Sequence, residues 1–428
     1  MSAHALEAAL AAIRPGKDPD RWAFAAYRAA VARSESAAGP DDVRRALDLL
    51  DRASRILTAS RSPVEHARIL TATANCHRQL GDPGRAAELF DRAAELLIGR
   101  ATPSEQAAAL INQGLALVET GRATAALDPL DRAIDLVDES PAEEDRRVHG
   151  AALVNRAQAR QAIGNVESLR AAIDDYEAAA GVLDDESPQR GMALHGRGTS
   201  IMELSALGDT SSSSDDAIGA FEACLRVLTA NSFPFQHAIA QHSLALALER
   251  RQAPLDLERA LTCVEAALSL FDPRLHRAQW QTAADALGRL ETCLAEARPG
   301  ARRADHFVAL LVGVDPSART RLLRDRFVPL SRQPAERIRR DLDSFASAMV
   351  AAADLEYDAV FRSMLPVLME LPESMLSATC TALCAAHQAT DRGETLDAIV
   401  DGVVHDLLHG PQRVRVRDLL EAEGWTRP

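Results

Sequence analysis

The chain has 428 residues, of which 47% are hydrophobic but only 4% aromatic, and its formal net charge at pH 7 is −14. A chain of this length can bury a large core and form two or three domains, and abundant alanine with few aromatic residues favours close-packed helices over a sheet sandwich. The negative charge disfavours direct binding of nucleic acid, and with no run of 18 apolar residues in the sequence no membrane span is predicted.

Residues 1–17 form an N-terminal segment before any repeated pattern begins. This segment has neither the charged start nor the apolar run of a secretory signal peptide. The six cysteines of the chain are scattered rather than grouped as in a disulfide framework. Both observations predict a cytoplasmic protein. The strong preference for arginine and alanine, with Lys17 the single lysine, suggests a high-GC bacterial source.

Self-similarity along the chain predicts a repeat protein. Six segments share a small residue, a larger apolar residue four positions later and a second small residue three positions after that. This i, i+4, i+7 spacing places all three on one helical stripe, where the small residues let a second helix approach and the larger one fills the gap. The six triples are Ala46/Leu50/Ala53, Ala86/Phe90/Ala93, Ala126/Leu130/Ala133, Ala172/Tyr176/Ala179, Ala217/Phe221/Cys224 and Ala260/Val264/Ala267.

A further helix is predicted before each of these segments, which makes a helix–turn–helix unit repeated six times. The predicted first helices are Trp22–Arg33, Ala67–Leu80, Ala107–Thr120, Ala151–Ile163, Met192–Leu207 and His237–Arg250. Small residues mark the places where paired helices are expected to meet: Ala74, Gly114, Ala157 and Gly198. Glycines supply helix stops at the turns; they are Gly81, Gly121, Gly164 and Gly208.

These units resemble tetratricopeptide repeats (TPRs). The resemblance is carried most clearly by Ala86, Phe90 and Ala93, which follow Gly81 at the turn and Ala74 on the first helix. The first residues of successive triples are 40, 40, 46, 45 and 43 positions apart, whereas the usual TPR period is about 34 residues. Such long turns are similar to those of repeats in bacterial multidomain signalling proteins.

The resemblance implies an all-α fold, with a right-handed α-solenoid over residues 18–298 whose inner surface is formed by the first helices. It covers about residues 18–296. A final unpaired stretch, Trp280–Leu290, resembles another first helix and is expected to cap the stack.

Polar residues on the first helices that packing does not require are the candidates for binding a partner. An Asn or Gln side chain can pair with both the N–H and the C=O of an extended peptide; the alternative is that these amides are only hydrated. TPR proteins that clamp a terminal carboxylate add basic residues, but Thr71 and Ala108 occupy those positions here, which disfavours a carboxylate clamp. The predicted groove residues are Arg28, Asn75, Arg78, Asn112, Asn155, Gln158, His195 and Gln241.

The repeat pattern ends at Arg298–Ala301, and residues 299–428 are predicted to form a C-terminal helical bundle of no recognised family. His306–Val314 is compatible with a short strand or a buried helix, and the arginine-rich run Arg319–Arg340 is interpreted as a solvated helix face. Pro366 is expected to kink or start a helix. The predicted helices are Ala335–Ala353, Tyr357–Leu371, Glu373–Gln388, Gly393–Leu408 and Gln412–Glu423.

Two groups of residues in the C-terminal region suggest metal chemistry. Cys380, Cys384 and His387 share one helical stripe, and His405 and His409 have the i, i+4 spacing of a zinc-binding pair. The alternative is a structural role, in which the cysteines act as buried apolar residues and the histidines interact with a helix C-terminus.

The leading hypothesis is therefore a non-catalytic scaffold or adaptor that holds a peptide or protein in its concave groove, without a cofactor. The C-terminal bundle would then dock a second partner or mediate homo-oligomerisation. One alternative is a peptide-responsive regulator of a bacterial signalling system. Another is a metal-dependent enzyme with its site among the C-terminal helices. No P-loop, GxSxG or GxGxxG pattern occurs in the sequence.

Overall fold

The computed structural model describes residues 3–14, 16–138, 142–297 and 302–425. Every regular element in these ranges is an α-helix, which confirms the predicted all-α class. The chain divides into two compact units, Met1–Asp216 and Ala217–Pro428. None of the described helices combines the length and the apolar character needed to cross a bilayer.

The described residues of the first unit form ten helices and the beginning of an eleventh, α11 (Ser214–Val227), which runs across the division. Its helices are α1 Ala3–Ala11, α2 Pro19–Glu35, α3 Pro40–Ser54, α4 Pro63–Gln79, α5 Pro83–Leu97, α6 Pro103–Glu119, α7 Ala123–Asp135, α8 Glu143–Ile163, α9 Val166–Val182 and α10 Pro188–Ala206. Consecutive helices pair as α2/α3, α4/α5, α6/α7 and α8/α9, and α1 packs on α2.

The second unit contains the rest of α11 and ten further helices. These are α12 Pro234–Arg251, α13 Asp256–Leu270, α14 Arg277–Ala297, α15 Arg303–Gly313, α16 Pro316–Leu330, α17 Ala335–Met349, α18 Asp354–Glu370, α19 Glu373–Gln388, α20 Gly393–Leu407 and α21 Gly410–Ala422. Helices α12 and α13 form a hairpin, and α14, α15 and α16 all contact α13. The predicted cap, α14, therefore shares this end of the hairpin with C-terminal helices.

The turn between α4 and α5 shows how the local sequence makes a hairpin. Gly81 has φ = +81°, a left-handed conformation that glycine adopts without a Cβ penalty. The Asp82 carboxylate then caps α5 by accepting the Arg85 N–H at 3.1 Å, and Pro83 begins the helix. The three other predicted stop glycines, Gly121, Gly164 and Gly208, also have positive φ.

Five of the predicted first helices begin three or four residues earlier than expected, in each case at a proline. Proline fits the first turn of a helix because its missing N–H has no partner there in any case. The five are Pro19, Pro63, Pro103, Pro188 and Pro234.

All six small–large–small triples are buried, and none of their eighteen residues is more than 2% exposed. A methyl group added to Gly114 would lie 2.6 Å from Cγ of Leu130, so α6 and α7 approach as closely as predicted. Gly196 of α10 makes a similar close approach to Tyr176 of α9, since a methyl group there would overlap Cζ of the ring.

The first unit also buries an ionic cluster between α8 and α9. Asp175 is 4% exposed and accepts bonds from Arg156 at 2.7 and 3.0 Å and from Arg160 at 2.6 Å. Burial of this charge is compensated because both carboxylate oxygens are paired.

One expectation about the C-terminal region needs correction. Arg319 is not on a solvated face: it is buried and donates to the carbonyls of Leu311, Val314 and Ala359. Of the two alternatives for the segment that begins at His306, the structure shows the helix, α15, which ends at Gly313. Pro366 lies inside α18, so it does not start this helix.

The predicted boundary segment Arg298–Ala301 lies outside the described residues, and a domain boundary at residue 298 stays a prediction. The C-terminal core includes aromatic rings that contact one another. Phe345 contacts both Phe307 and Phe327, with ring centroids 5.7 and 5.5 Å apart.

Candidate functional site

The first helices α2, α4 and α6 enclose an open cavity of about 330 Å³. Such a volume lies at the lower end of the range for ligand pockets. It brings together three of the predicted groove residues, Asn75, Arg78 and Asn112. Its other lining residues are Tyr27, Val31, Ser34, Glu35, Arg68, Thr71, Ala72, Gln79, Leu97, Glu105, Ala108 and Ala109.

The two asparagines differ from the charged residues around them. Among the described residues, neither the Asn75 nor the Asn112 side chain has a hydrogen-bond partner, and both are half-buried. The Arg78 guanidinium pairs with Glu119 at 3.2 Å. The amides therefore keep their full hydrogen-bonding capacity for a ligand, whereas Arg78 is already engaged.

An ion pair that was not predicted from the sequence spans the groove from α4 to α6. The Nη2 atom of Arg68 lies 2.5 Å from Oε1 of Glu105. A signal for both existed, since Arg68 precedes Asn75 by seven positions and Glu105 precedes Asn112 by seven, which is one helical stripe. Tyr27, on α2, also lines this groove, and burial raises the pKa of its phenol.

The remaining predicted groove residues do not line this cavity. Arg28 is exposed on α2, and Gln158 is half-buried on α8. Asn155 donates to the carbonyl of Ala151 in its own helix at 2.8 Å. His195, on α10, is largely desolvated, and its burial lowers its pKa to about 4.

Gln241 does not face a groove. It is only 2% exposed, and its side chain contacts the Asp325 carboxylate of α16 at 3.3 Å. Burial raises the pKa of that carboxyl group. Gln241 was expected to face the groove. Its burial could not be predicted, because nothing in the repeat pattern indicates that a C-terminal helix covers this part of α12.

The metal-binding candidates do not converge. Within the described ranges, no three His, Cys, Asp or Glu side chains are arranged to hold a metal ion. Burial raises the pKa of the Cys380 thiol to about 12 and that of the Cys384 thiol to about 11, which disfavours the thiolates that metals bind. His405 and His409 are exposed.

The His387 ring is held by hydrogen bonds to two neighbouring side chains. Its Nδ1 atom lies 2.7 Å from the Asp397 carboxylate, and its Nε2 atom lies 2.7 Å from the Tyr357 hydroxyl. Both ring nitrogens are thus occupied, and Tyr357 is completely buried. This arrangement joins α18, α19 and α20 and leaves His387 no free nitrogen for a metal.

No family model and no curated protein matches the chain. Solved structures similar to it include nearly identical TPR-like repeats of a kinesin light chain from Podosopora anserina, with 16% identity and a TM-score of 0.36 over 56% of this chain and 99% of that one. A Rap protein complexed with Competence and Sporulation Factor has 12% identity and a TM-score of 0.43, covering 69% of this chain and 80% of that one.

A signal transduction ATPase with a tetratricopeptide repeat sensor, from Pyrococcus horikoshii, has 14% identity and a TM-score of 0.39, covering 81% of this chain and 53% of the other. All these TM-scores are below 0.5, so the assignment of a protein class rests on the helical hairpins of this chain. The paired helices of these hairpins, their buried small–large–small stripes and their glycine turns define a protein of TPR-like helical repeats.

Proposed function

We propose that the chain is a non-catalytic interaction scaffold that holds an extended segment of a protein partner in the groove of α2, α4 and α6. The observation that carries this proposal is the pair of half-buried amides, Asn75 and Asn112, which share one cavity and have no partner among the described residues. TPR-like repeats are built to present such surfaces on successive first helices.

The chemistry of the groove fits a peptide backbone. Each asparagine side chain offers donors and an acceptor, and so matches the alternating N–H and C=O groups of an extended chain. The lining charges, Arg68, Arg78, Glu35 and Glu105, cancel in number. Although the whole chain is acidic, the groove itself selects for backbone hydrogen bonds and for apolar side chains rather than for a basic partner.

The test is selection of linear peptides from a random library on the full chain, followed by calorimetric affinities. We expect the double variant Asn75→Ala/Asn112→Ala to bind the selected peptides about tenfold or more weakly, because each lost amide hydrogen bond is worth about 1 kcal/mol.

Asn155→Ala is the matched control, since that amide is bound to its own helix, and it should leave the affinity unchanged. Circular dichroism verifies that each variant is folded. Peptides that bind the double variant as tightly as the original chain would place the partner elsewhere.

A further inference from the structure

A second and larger cavity lies in the unit Ala217–Pro428, with walls from α13, α14, α15, α16 and α17. Its volume is about 510 Å³, well within the range of small-molecule sites. None of its lining residues belongs to the groove of α2, α4 and α6. Its lining residues are Thr262, Glu265, Ala266, Leu268, Ser269, Trp280, Leu287, Arg303, Ala304, Arg326, Leu330, Gln333, Arg337, Arg340, Asp341 and Ser344.

The charge of this cavity is opposite to that of the chain. Four arginines face two carboxylates among the lining residues, whereas the chain carries a net charge of −14. Glu265 is shared by Arg303 at 3.5 Å and Arg326 at 3.1 Å. Arg303 also pairs with Glu291, so Arg303 and Arg326 together meet two carboxylates, and the surplus of positive charge lies with the other two arginines.

That surplus is held by Arg337 and Arg340, one turn apart on α17. Among the described residues Arg337 has no ion-pair partner, and its Nη1 atom contacts only Gln333, at 3.4 Å. Arg340 reaches Asp341 at 3.7 Å, while 76% of its side chain is exposed. Guanidinium groups bind phosphate in a bidentate manner, and of these two only Arg340 has a carboxylate partner, at the long distance of 3.7 Å.

The cavity also has an apolar wall that carries a flat aromatic ring. Trp280 is half-buried, and within the described ranges its indole stacks on no other ring and on no arginine. Leu268, Leu287 and Leu330 extend this wall. An indole with a free face binds planar rings by stacking.

We propose that this cavity binds a small phosphate-bearing molecule with an aromatic ring, the chemistry of a nucleotide. Arg337 and Arg340 hold the phosphate, and Trp280 stacks on the ring. Neither feature alone defines a ligand, but here two arginines and an indole line the same cavity of about 510 Å³.

The experiment is calorimetric titration of the full chain with adenosine monophosphate as the probe, beside adenosine and inorganic phosphate. We expect the nucleotide to bind more tightly than either of its parts, with an affinity that falls as salt is raised. The double variant Arg337→Gln/Arg340→Gln should bind it roughly tenfold or more weakly.

Arg339→Gln is the matched control, because Arg339 lies on the same helix, is exposed and does not line the cavity. It makes the same change of charge per residue and should leave binding unchanged. Trp280→Phe should retain part of the affinity, and Trp280→Ala should lose more of it. Circular dichroism again verifies the fold of each variant.

Three results would overturn the proposal. The first is no binding of the nucleotide at 1 mM, and the second is equal affinity for adenosine, which would remove any role for the arginines. The third is tighter binding of hexaglutamate than of the nucleotide, lost in the double arginine variant, which would make the cavity a site for an acidic protein segment.

Discussion

The helical hairpins of residues 19–206 and the C-terminal helices of residues 303–425 fill their interiors in different ways. In the hairpins a single large residue such as Leu130 lies between alanines and against a glycine on the facing helix. Among the C-terminal helices, rings pack on rings around Phe345. Close approach of the helix backbones stabilises the hairpins, whereas burial of large ring surfaces stabilises the C-terminal core.

The two regions also stabilise buried polar groups differently. Asp175 is neutralised by two arginines that reach it from one neighbouring helix. His387 is held between Tyr357 and Asp397, which come from two different helices. The Asp175 carboxylate is thus satisfied within one hairpin, whereas the His387 ring needs side chains from two further helices.

The largest expected effect is in the aromatic core. Phe345→Ala should lower the free energy of unfolding by about 3–5 kcal/mol, because it removes a ring that contacts two others and leaves a cavity. Denaturant unfolding followed by circular dichroism measures the change.

Phe24→Ala is the control for this variant, since Phe24 is 43% exposed on α2, and its effect should stay within about 0.5 kcal/mol. Similar losses of unfolding free energy in the two variants would show that ring burial does not stabilise the C-terminal core more than it stabilises the surface of the hairpins.

The next effect is a dependence on pH in the hairpin region. His195 takes up a proton near pH 6.5 in the unfolded chain but only near pH 4 in the folded one, because burial disfavours the charged ring. The contribution of His195 to the free energy of unfolding is therefore complete above pH 6.5. It falls as the pH is lowered toward 4, by up to about 3 kcal/mol.

The measurement is the free energy of unfolding of the original chain and of His195→Gln at pH 7.5 and 4.5. The variant should lose less stability on acidification, whereas the exposed His405→Gln should follow the original chain. Identical losses for all three proteins would contradict a desolvated His195.

The smallest effect tests close approach in the hairpins. Gly114→Ala should cost about 1–3 kcal/mol, because its new methyl group would lie 2.6 Å from Leu130 and force the helices apart. At an ordinary helical position the same change stabilises, by roughly 1 kcal/mol.

Gly219→Ala is the matched control, since Gly219 lies within α11 and a methyl group there meets no atom within 4 Å. We expect this variant to unfold at a higher denaturant concentration than the original chain. If Gly114→Ala were also stabilising, the hairpins would not depend on backbone contact.

Much of the repeat region was predictable because its stripes are local. Ala86, Phe90 and Ala93 lie within eight positions of one another, and the turn before them carries its own signals in Gly81 and Pro83. The C-terminal helices α17 to α21 were also predicted closely, whereas the burial of Arg319 on α16 was not predicted, because an arginine-rich run gives no local sign that one of its members is buried.

The groove was predicted only in part. Asn75 and Asn112 line the cavity between α2, α4 and α6, and their role in binding stays a prediction. The Arg68–Glu105 pair across it connects residues 37 positions apart. Gln241 fits the same sequence pattern as the asparagines, yet α16 covers it. A pattern along one helix states which residues share a face and not what lies opposite that face.

The sequence by itself determined the helical repeats, their turns and the residues at their close contacts, because these depend on spacing within one or two helices. Only the tertiary structure decided which polar groups remain available for a ligand. Among the described residues the Asn75 side chain has no hydrogen-bond partner and Arg337 has no ion-pair partner, whereas Arg78 is paired with Glu119 and Gln241 with Asp325. Pairing depends on side chains brought together from distant parts of the chain, and no local spacing records it.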